Sequence, residues 1–195
     1  EGVTPTTAQV TLVRWGEAPA FQPVDEGFAI FSHPLPLLRE LNIVDSPGTN
    51  AINRQHEKLT NEYVPRSDLV LFVTSADRPL TESERQFLER ILSWGKKITL
   101  VINKVDILED EKAIAQVRQF VEQNVRQILG TEPEVFTVSS KLAQKSRLAT
   151  DAGEAQRLMA ASGLESLEKF ITETLDDRAR LALKLENPIG VALSL

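Results

Sequence analysis

The sequence predicts an α/β fold with a mostly parallel sheet, and two patterns support this prediction. Short continuous apolar runs alternate with longer amphipathic stretches along the chain. Continuous apolar runs are typical of parallel strands buried on both faces, and amphipathic stretches are typical of the helices that cover such a sheet. The chain has 195 residues and 42% hydrophobic content, which suits one α/β domain.

The apolar runs predict six strands, the last three of which are rich in residues that suit a pleated surface. They span residues 10–13, 28–31, 41–44, 69–73, 98–102 and 135–138. Residues 16–27, between the first two runs, are polar and contain prolines. This stretch is therefore predicted to be a connector.

Two helices are predicted between the later strands. Thr81 and Glu84 have the spacing of a capping box, and apolar residues then recur at helical spacing as far as Gly95. Glycine suits that position because it tolerates the positive φ of a helix end. A second stretch with helical periodicity covers residues 111–130.

A third helix is predicted further along the chain. Ser162 and Glu165 have the spacing of a second capping box, followed by an apolar face at helical spacing. This helix could continue to the pair Asn187-Pro188, because proline disfavours helical geometry in the residue before it.

The charge balance argues against two kinds of surface. The formal net charge is −6, whereas a dedicated nucleic-acid surface usually shows a basic stripe. The same balance argues against a broad cationic membrane-binding face. No apolar run reaches the roughly 18–20 residues that a bilayer-spanning helix needs.

The motif Asp45-Ser46-Pro47-Gly48 follows the third apolar run. Ligands of open α/β sheets gather at the carboxyl ends of the strands, and a carboxylate there can hold Mg²⁺, commonly through water. Gly48 leaves its backbone N–H free to approach a terminal phosphate. All four residue types also form turns, so a simple strand-ending turn is an open alternative.

The motif Asn103-Lys104-Val105-Asp106 follows the fifth run and predicts guanine recognition. The Asp106 carboxylate can accept hydrogen bonds from guanine N1–H and the exocyclic amine, and would repel the acceptor that adenine offers there. The Lys104 stem can lie against the base while its ammonium stays in water, and Asn103 can tie the loop to neighbouring backbone. The alternative is a strand-to-helix turn in which Asp106 is the helix N-cap.

Two weaker motifs gain meaning from their order. Ser139-Ser140-Lys141 follows the last run, where a backbone N–H could meet guanine O6, although serine-rich turns are common. Thr7 lies in a threonine-rich start, and its hydroxyl could ligate Mg²⁺. The phosphate-binding pattern Gly-x-x-x-x-Gly-Lys-Ser/Thr is absent from the sequence. We expect a strand followed by this phosphate-binding loop to precede Glu1 in the parent protein.

Taken in order, these motifs resemble those of the P-loop GTPases. Residues 2–7, 42–50 and 75–84 look like the bacterial and chloroplast members of the dynamin superfamily, in the mitofusin-like, fuzzy-onion-like branch. The resemblance implies a P-loop GTPase-type three-layer fold whose first strand and phosphate loop are missing here. It also implies a G domain over residues 1–176, with 177–195 a helix and hinge leading toward a helical bundle.

The resemblance also implies roles for individual residues. Thr7 would ligate Mg²⁺ and help to place the attacking water, Asp45 would support Mg²⁺, and Gly48 would contact the γ-phosphate. The nucleotide-binding residues would be Asn103, Lys104, Asp106, Ser139, Ser140 and Lys141. GTP and GDP would be substrate and product, with Mg²⁺ as cofactor.

The implied activity is membrane remodelling or fusion, driven by GTP-dependent pairing of G domains. The partners would be a second copy of the protein and a lipid membrane contacted by regions outside this chain, with no nucleic acid. The membrane would be bacterial, on its cytoplasmic face, or a chloroplast membrane.

Two other functions are weighed against this one. A ribosome- or RNA-associated GTPase would share the base-reading motifs, but the acidic balance and the long helix before Pro188 favour the dynamin-like interpretation. A catalytically silent interaction module is disfavoured because a protein that has lost activity has no physical need for both sets of motifs.

Overall fold

The structure is a computed structural model that describes residues 9–47 and 62–175. The chain divides into two compact units, with the division between Ser67 and Asp68. Thr7, Gly48 and the predicted helix and hinge at 177–195 lie outside the described residues.

The first unit contains a four-stranded sheet. Its strands are β1 (Val10–Trp15), β2 (Ala20–Asp25), β3 (Phe28–His33) and β4 (Ile43–Asp45), in the order β2-β3-β1-β4. β3 lies parallel to β1, whereas β2 and β4 are antiparallel to their neighbours. The strands predicted from the first three apolar runs are therefore confirmed.

The prediction that residues 16–27 form a connector is wrong, because β2 lies within them. β2 pairs with β3 through a short turn in which the Gly27 N–H donates to Asp25 Oδ1 at 2.8 Å. All six of its residues are exposed and it lies at the edge of the sheet, so no apolar pattern marks it. Such an edge tolerates Pro23, which lacks a backbone donor.

The second unit contains a fully parallel three-stranded sheet, as predicted. Its strands are β5 (Val70–Ser75), β6 (Ile98–Asn103) and β7 (Glu134–Thr137), in that order across the sheet. Five of the six residues of β6 are buried. The central strand is thus held on both faces, and it ends directly at the candidate base-reading loop.

Five α-helices accompany this sheet in the described residues. They are α1 (Glu82–Leu92), α2 (Glu111–Leu129), α3 (Ser140–Leu148), α4 (Ala152–Ser162) and α5 (Leu164–Thr174). The capping box that starts α1 is confirmed: the Thr81 hydroxyl accepts the Glu84 N–H, and Glu84 Oε2 accepts the Thr81 N–H at 2.8 Å. α2 ends at Gly130, whose φ is +68°.

The second predicted capping box is wrong, because Ser162 ends α4 instead of starting α5. Its hydroxyl donates to the Met159 carbonyl at 2.6 Å and accepts the Leu164 N–H at 3.2 Å. Gly163, with φ of +67°, turns the chain between the two helices. A Cβ on Gly163 would lie 2.4 Å from the Thr137 carbonyl oxygen, so close approach to β7 requires glycine here.

The apolar face predicted for this last helix does form part of the core. Leu167 is buried in α5 and packs with Val101 of β6 and with Val138, just beyond β7. This packing places α5 beneath the strand ends from which the candidate site is built.

Candidate functional site

Two loops of the second unit meet at the carboxyl end of its parallel sheet. β6 ends at Asn103, and β7 is followed by Val138 and Ser139. The backbone joins the two loops, because the Val105 N–H donates to the Val138 carbonyl at 3.2 Å. The topology therefore brings together two motifs that are more than 30 residues apart in sequence.

Asn103 connects the loops through its side chain. Its Oδ1 accepts the Lys104 N–H at 2.7 Å, and both the N–H and the hydroxyl of Ser140 at 3.1 Å. A single amide oxygen thus holds the first turn of α3 against the end of β6. The sequence predicts that Asn103 ties its loop to neighbouring backbone, and the bond from the Ser140 N–H confirms this.

Lys104 has an unusual backbone conformation. Its φ of +66° lies in the left-handed region, which non-glycine residues seldom occupy. Such residues cluster at ligand-binding and active sites. The bond from its N–H to Asn103 Oδ1 supports this conformation, and its side chain remains exposed.

Asp106 is largely enclosed, since its side chain is only 9% exposed. Its Oδ1 accepts the Ser139 hydroxyl at 2.5 Å, and Lys141 Nζ lies 3.5 Å from Oδ2. The Ser139 hydrogen bond is the main cause that lowers the pKa of Asp106, and Lys141 adds to it. The carboxylate is therefore ionised, and each oxygen keeps lone-pair capacity for an N–H of a ligand.

The alternative role of Asp106 as a helix N-cap is wrong. Asp106 lies in a 3₁₀ turn, Val105–Ile107, and the cap of α2 is Asp110, whose Oδ1 accepts the Ala113 N–H at 2.7 Å. Asp106 is thus free of a capping role.

Ser139 is fully buried and connects Asp106 to α3 and to the end of α4 through its hydrogen bonds. Its N–H donates to the Ser162 carbonyl at 2.8 Å, and its hydroxyl accepts the Leu142 N–H at 3.1 Å while donating to Asp106. The N–H groups of Ser139 and Ser140 are therefore both bonded within the chain. A guanine O6 that used the Ser140 N–H would have to share or replace its 3.1 Å bond to Asn103.

A third loop, which sequence reasoning did not assign to the site, borders the same sheet edge. Ser75 and Asn103 are register partners, and the Ala76 N–H donates to the Asn103 carbonyl at 2.8 Å. The pKa of Asp77 is lowered mainly by a hydrogen bond from the Ser75 hydroxyl, and the positive charge of Lys104 also contributes. The position of Asp77 shortly after the predicted strand at residues 69–73 is the sequence signal that could have identified it.

The first unit contains Asp45, Ser46 and Pro47, the described part of the motif Asp45-Ser46-Pro47-Gly48. Asp45 ends β4 and is exposed. Partial desolvation by nearby protein atoms raises the pKa of its carboxyl, and a hydrogen bond from the Ser46 N–H opposes this rise. Because the residue is exposed, this shift contributes little to stability. No described basic side chain forms an ion pair with Asp45.

The Asp45 carboxylate can supply one oxygen ligand to a hard cation such as Mg²⁺. This ion binds few protein groups and keeps several of its waters. Within residues 9–47 and 62–175, no cluster of three or more acidic or histidine side chains is arranged to hold a metal. The other residues expected to contact Mg²⁺ and phosphate, Thr7 and Gly48, lie outside the described residues. In the part of the chain that the structure describes, no helix combines the length and apolarity needed to span a bilayer.

Comparison with known proteins identifies the family. The sequence model of the dynamin family matches residues 16–106. A probable transmembrane GTPase, FZO-like and chloroplastic, from Arabidopsis thaliana is 37% identical over 98% of this chain. The chain belongs to the dynamin superfamily. A bacterial dynamin-like protein from Nostoc punctiforme, 28% identical over 78% of the chain, agrees with the bacterial and chloroplast branch of that superfamily.

A solved structure supports the fold of this dynamin-superfamily chain. An oligomerised bacterial dynamin pair matches 99% of the chain with a TM-score of 0.74 and 18% identity, and the match covers 37% of the bacterial protein. The predicted P-loop GTPase-type α/β fold is therefore confirmed. The chain spans 23% and 24% of the lengths of the Arabidopsis and Nostoc relatives.

Proposed function

We propose that this chain is the guanine-nucleotide-binding part of a larger dynamin-like GTPase that remodels or fuses membranes. Membership of the dynamin superfamily supports the class of activity. Hydrolysis would be stimulated when the G domains of two copies pair in the presence of nucleotide.

The observation that supports nucleotide specificity is the state of Asp106. Its carboxylate is ionised, largely enclosed and bonded to Ser139, so its position is set before a ligand arrives. A fixed anionic acceptor pairs with the two N–H donors of guanine and opposes the acceptor of adenine. Lys104 would cover one face of the base, and Asn103, Ser139, Ser140 and Lys141 would hold the loops that surround it.

The contacts to Mg²⁺ and phosphate are proposed from chemistry and from the family resemblance. Asp45 and Thr7 would hold Mg²⁺, which supplies positive charge to the phosphates when it is bound. Gly48 would offer its backbone N–H to the γ-phosphate, and Thr7 would also help to place the attacking water. Asp45, as an exposed carboxylate at a strand end, is compatible with its part of this role.

The proposed partners are a second copy of the protein and a lipid membrane. The bacterial structure that this chain resembles is described as an oligomerised pair for long-range sensing and tethering of membranes. Lipid would be contacted by regions outside this chain, at the cytoplasmic face of a bacterial membrane or at a chloroplast membrane. The net charge of −6 disfavours nucleic acid as a partner.

Nucleotide selection tests the base site in the complete protein. The wild type should bind GTP in preference to ATP and to xanthosine triphosphate. Asp106→Asn should reverse the preference between GTP and xanthosine triphosphate, because the amide N–H₂ can donate to the extra carbonyl of xanthine. Competition titrations with a fluorescent guanine nucleotide measure both preferences.

Asp110→Asn provides the matched control, since Asp110 only caps α2 and asparagine is an equally good N-cap. This variant should keep the GTP preference. If Asp106→Asn also kept the wild-type preference, the assigned base pocket would be wrong.

A second experiment tests pairing and membrane action. GTP turnover per molecule should rise with protein concentration, and lipid mixing between vesicles should require hydrolysable GTP. Turnover that is independent of concentration would contradict activation by pairing. Normal turnover without any effect on vesicles would contradict the membrane role alone.

A further inference from the structure

The loop that follows β5 lies directly beside the candidate base-reading loop. Ser75 and Asn103 face each other in the parallel register, and the Ala76 N–H donates to the Asn103 carbonyl at 2.8 Å. Asp77 directly follows Ala76, and Lys104 directly follows Asn103. The hydrogen bond between Ala76 and Asn103 therefore brings the backbones of Asp77 and Lys104 close together.

Both ends of this loop are anchored. At its start, the Arg78 N–H donates to the Ser75 carbonyl at 3.3 Å. At its end, Leu80 has a φ of +54°, and its N–H donates to Thr74 Oγ1 at 3.1 Å. Thr74 is only 2% exposed. A left-handed conformation of a non-glycine residue persists where the surrounding structure holds it. The backbone on both sides of Asp77 is therefore held in place.

The Thr74 hydroxyl is itself held by α1. It donates to Glu84 Oε2 at 3.3 Å, and the same carboxylate oxygen accepts the Thr81 N–H at 2.8 Å. The end of the loop is therefore tied to the capping box, and the loop cannot move without disturbing the start of α1.

One hydroxyl and two cations stabilise the charged form of Asp77. Its Oδ1 accepts the Ser75 hydroxyl, which fixes the rotation of the carboxylate. Lys104 and Arg78 both stabilise its charged form, with Arg78 Nε 3.9 Å from Oδ2. Two observations thus agree: a hydrogen bond from the Ala76 N–H to the Asn103 carbonyl joins the two loops, and the positive charge of Lys104 stabilises the charged form of Asp77.

A restraint on Lys104 favours its proposed role. A free lysine side chain loses conformational entropy when it is held in one orientation. Part of that loss can occur before the nucleotide arrives if an anion restrains the ammonium. The aliphatic stem of Lys104 would then already lie close to the position in which it contacts the guanine base.

We propose that Asp77, oriented by Ser75, is a positioning residue that restrains the Lys104 ammonium so that the lysine stem lies against the guanine base. This inference rests on the proposed function, in which the loop from Asn103 to Asp106 reads guanine. Asp77 acts through Lys104 and does not itself contact the base.

A double-mutant cycle in the complete protein tests this coupling. Equilibrium titration with a fluorescent GDP analogue should show Asp77→Asn weakening binding by about fivefold, the size expected for two opposite charges that interact near the surface. Lys104→Met should also weaken binding, and adding Asp77→Asn to Lys104→Met should cause no further loss. In Lys104→Arg, which keeps a cation, the loss from Asp77→Asn should persist.

Arg78→Gln is the matched control, because it removes the other cation beside Asp77 and leaves Lys104 in place. It should change the affinity by less than about twofold. Ser75→Ala should weaken binding in the same direction as Asp77→Asn, since the carboxylate would lose the donor that orients it. This loss should also vanish in the Lys104→Met background.

The outcomes separate this inference from the proposed function. If the wild type shows no preference for guanine over adenine nucleotides, the proposed function fails. If that preference is present but Asp77→Asn has no effect, the positioning role is wrong. A loss from Asp77→Asn that is equally large with Lys104→Met would also overturn it, because Asp77 would then act on the fold or on the nucleotide directly.

Discussion

Asp106 and Asp45 are both carboxylates at or just beyond the end of an apolar strand, yet their exposure and hydrogen bonding differ. Asp106 is largely enclosed, accepts a hydroxyl from Ser139 and has a lowered pKa. Asp45 is exposed, and the pKa of its carboxyl is raised by desolvation against one opposing bond from the Ser46 N–H. Hydrogen bonding thus outweighs desolvation at the first carboxylate, whereas desolvation outweighs the single hydrogen bond at the second.

This difference shows which part of nucleotide recognition the described fold prepares in advance. The acceptor proposed to read the base is held by bonds from a buried strand end, so its geometry does not depend on the ligand. The carboxylate proposed to face the metal has no described partner that favours its charged form, apart from one backbone N–H. A bound cation would supply that stabilisation.

The largest expected effect tests the packing beneath Asp106. Gly163→Ala should destabilise the protein by about 3 kcal/mol, because the new Cβ would meet the Thr137 carbonyl oxygen at 2.4 Å and φ is positive. Chemical denaturation measures the loss. GTP affinity should fall as well, since the shift would disturb the bond from Ser139 to Ser162.

Gly153→Ala is the control for this substitution, because Gly153 lies in the first turn of α4 and is not at positive φ. Its new Cβ would lie 3.3 Å from Asp151 Oδ1, a side-chain atom that can shift slightly, so the change in stability should stay below about 1 kcal/mol. If Gly163→Ala were equally harmless, the enclosed state of Asp106 would not depend on the junction between α4 and α5.

A smaller effect is expected from removing the donor to Asp106. Ser139→Ala should cost about 1–2 kcal/mol of stability, because it removes both the cap of α3 and the hydrogen bond to the carboxylate. GTP affinity should also fall, by about tenfold. Ser166→Ala, an exposed serine in α5, should change neither quantity.

The same variant has a defined pH dependence. The pKa of Asp106 is lowered in the folded state, mainly by Ser139, so the stabilisation is present above the ordinary aspartate range and is lost as pH falls through the folded pKa. The part of the stability difference that comes from the charged carboxylate should therefore shrink in acid. Denaturation curves from neutral to acidic pH measure it, and a constant difference would indicate that only the helix cap matters.

The smallest effect on stability is expected at Asp45. Asp45→Asn should change the free energy of unfolding by less than about 0.5 kcal/mol, because the side chain is exposed. Magnesium-dependent GTP hydrolysis in the complete protein should nevertheless fall by about 10- to 100-fold. A large loss of stability, or unchanged hydrolysis, would contradict the contrast between the two carboxylates.

Much of the second unit could be predicted from its sequence. β6 is buried on both faces and therefore reads as a continuous apolar run, and the capping box at Thr81 depends on residues three apart. The motif Asn103-Lys104-Val105-Asp106 gave the candidate base loop, because its chemistry depends on residue types at fixed spacing. In the first unit, β2 was missed because an exposed edge strand has no apolar pattern.

The sequence alone determined the fold class, the family resemblance and the residue types at the strand ends, because each depends on patterns local in the chain. Only the tertiary structure decided that Ser139 bonds Asp106, that Ser162 ends a helix instead of starting one, and that Asp77 lies beside the base loop. Those outcomes depend on partners up to 33 residues apart. Sheet register and the close approach at Gly163 bring such partners together, and no local pattern encodes them.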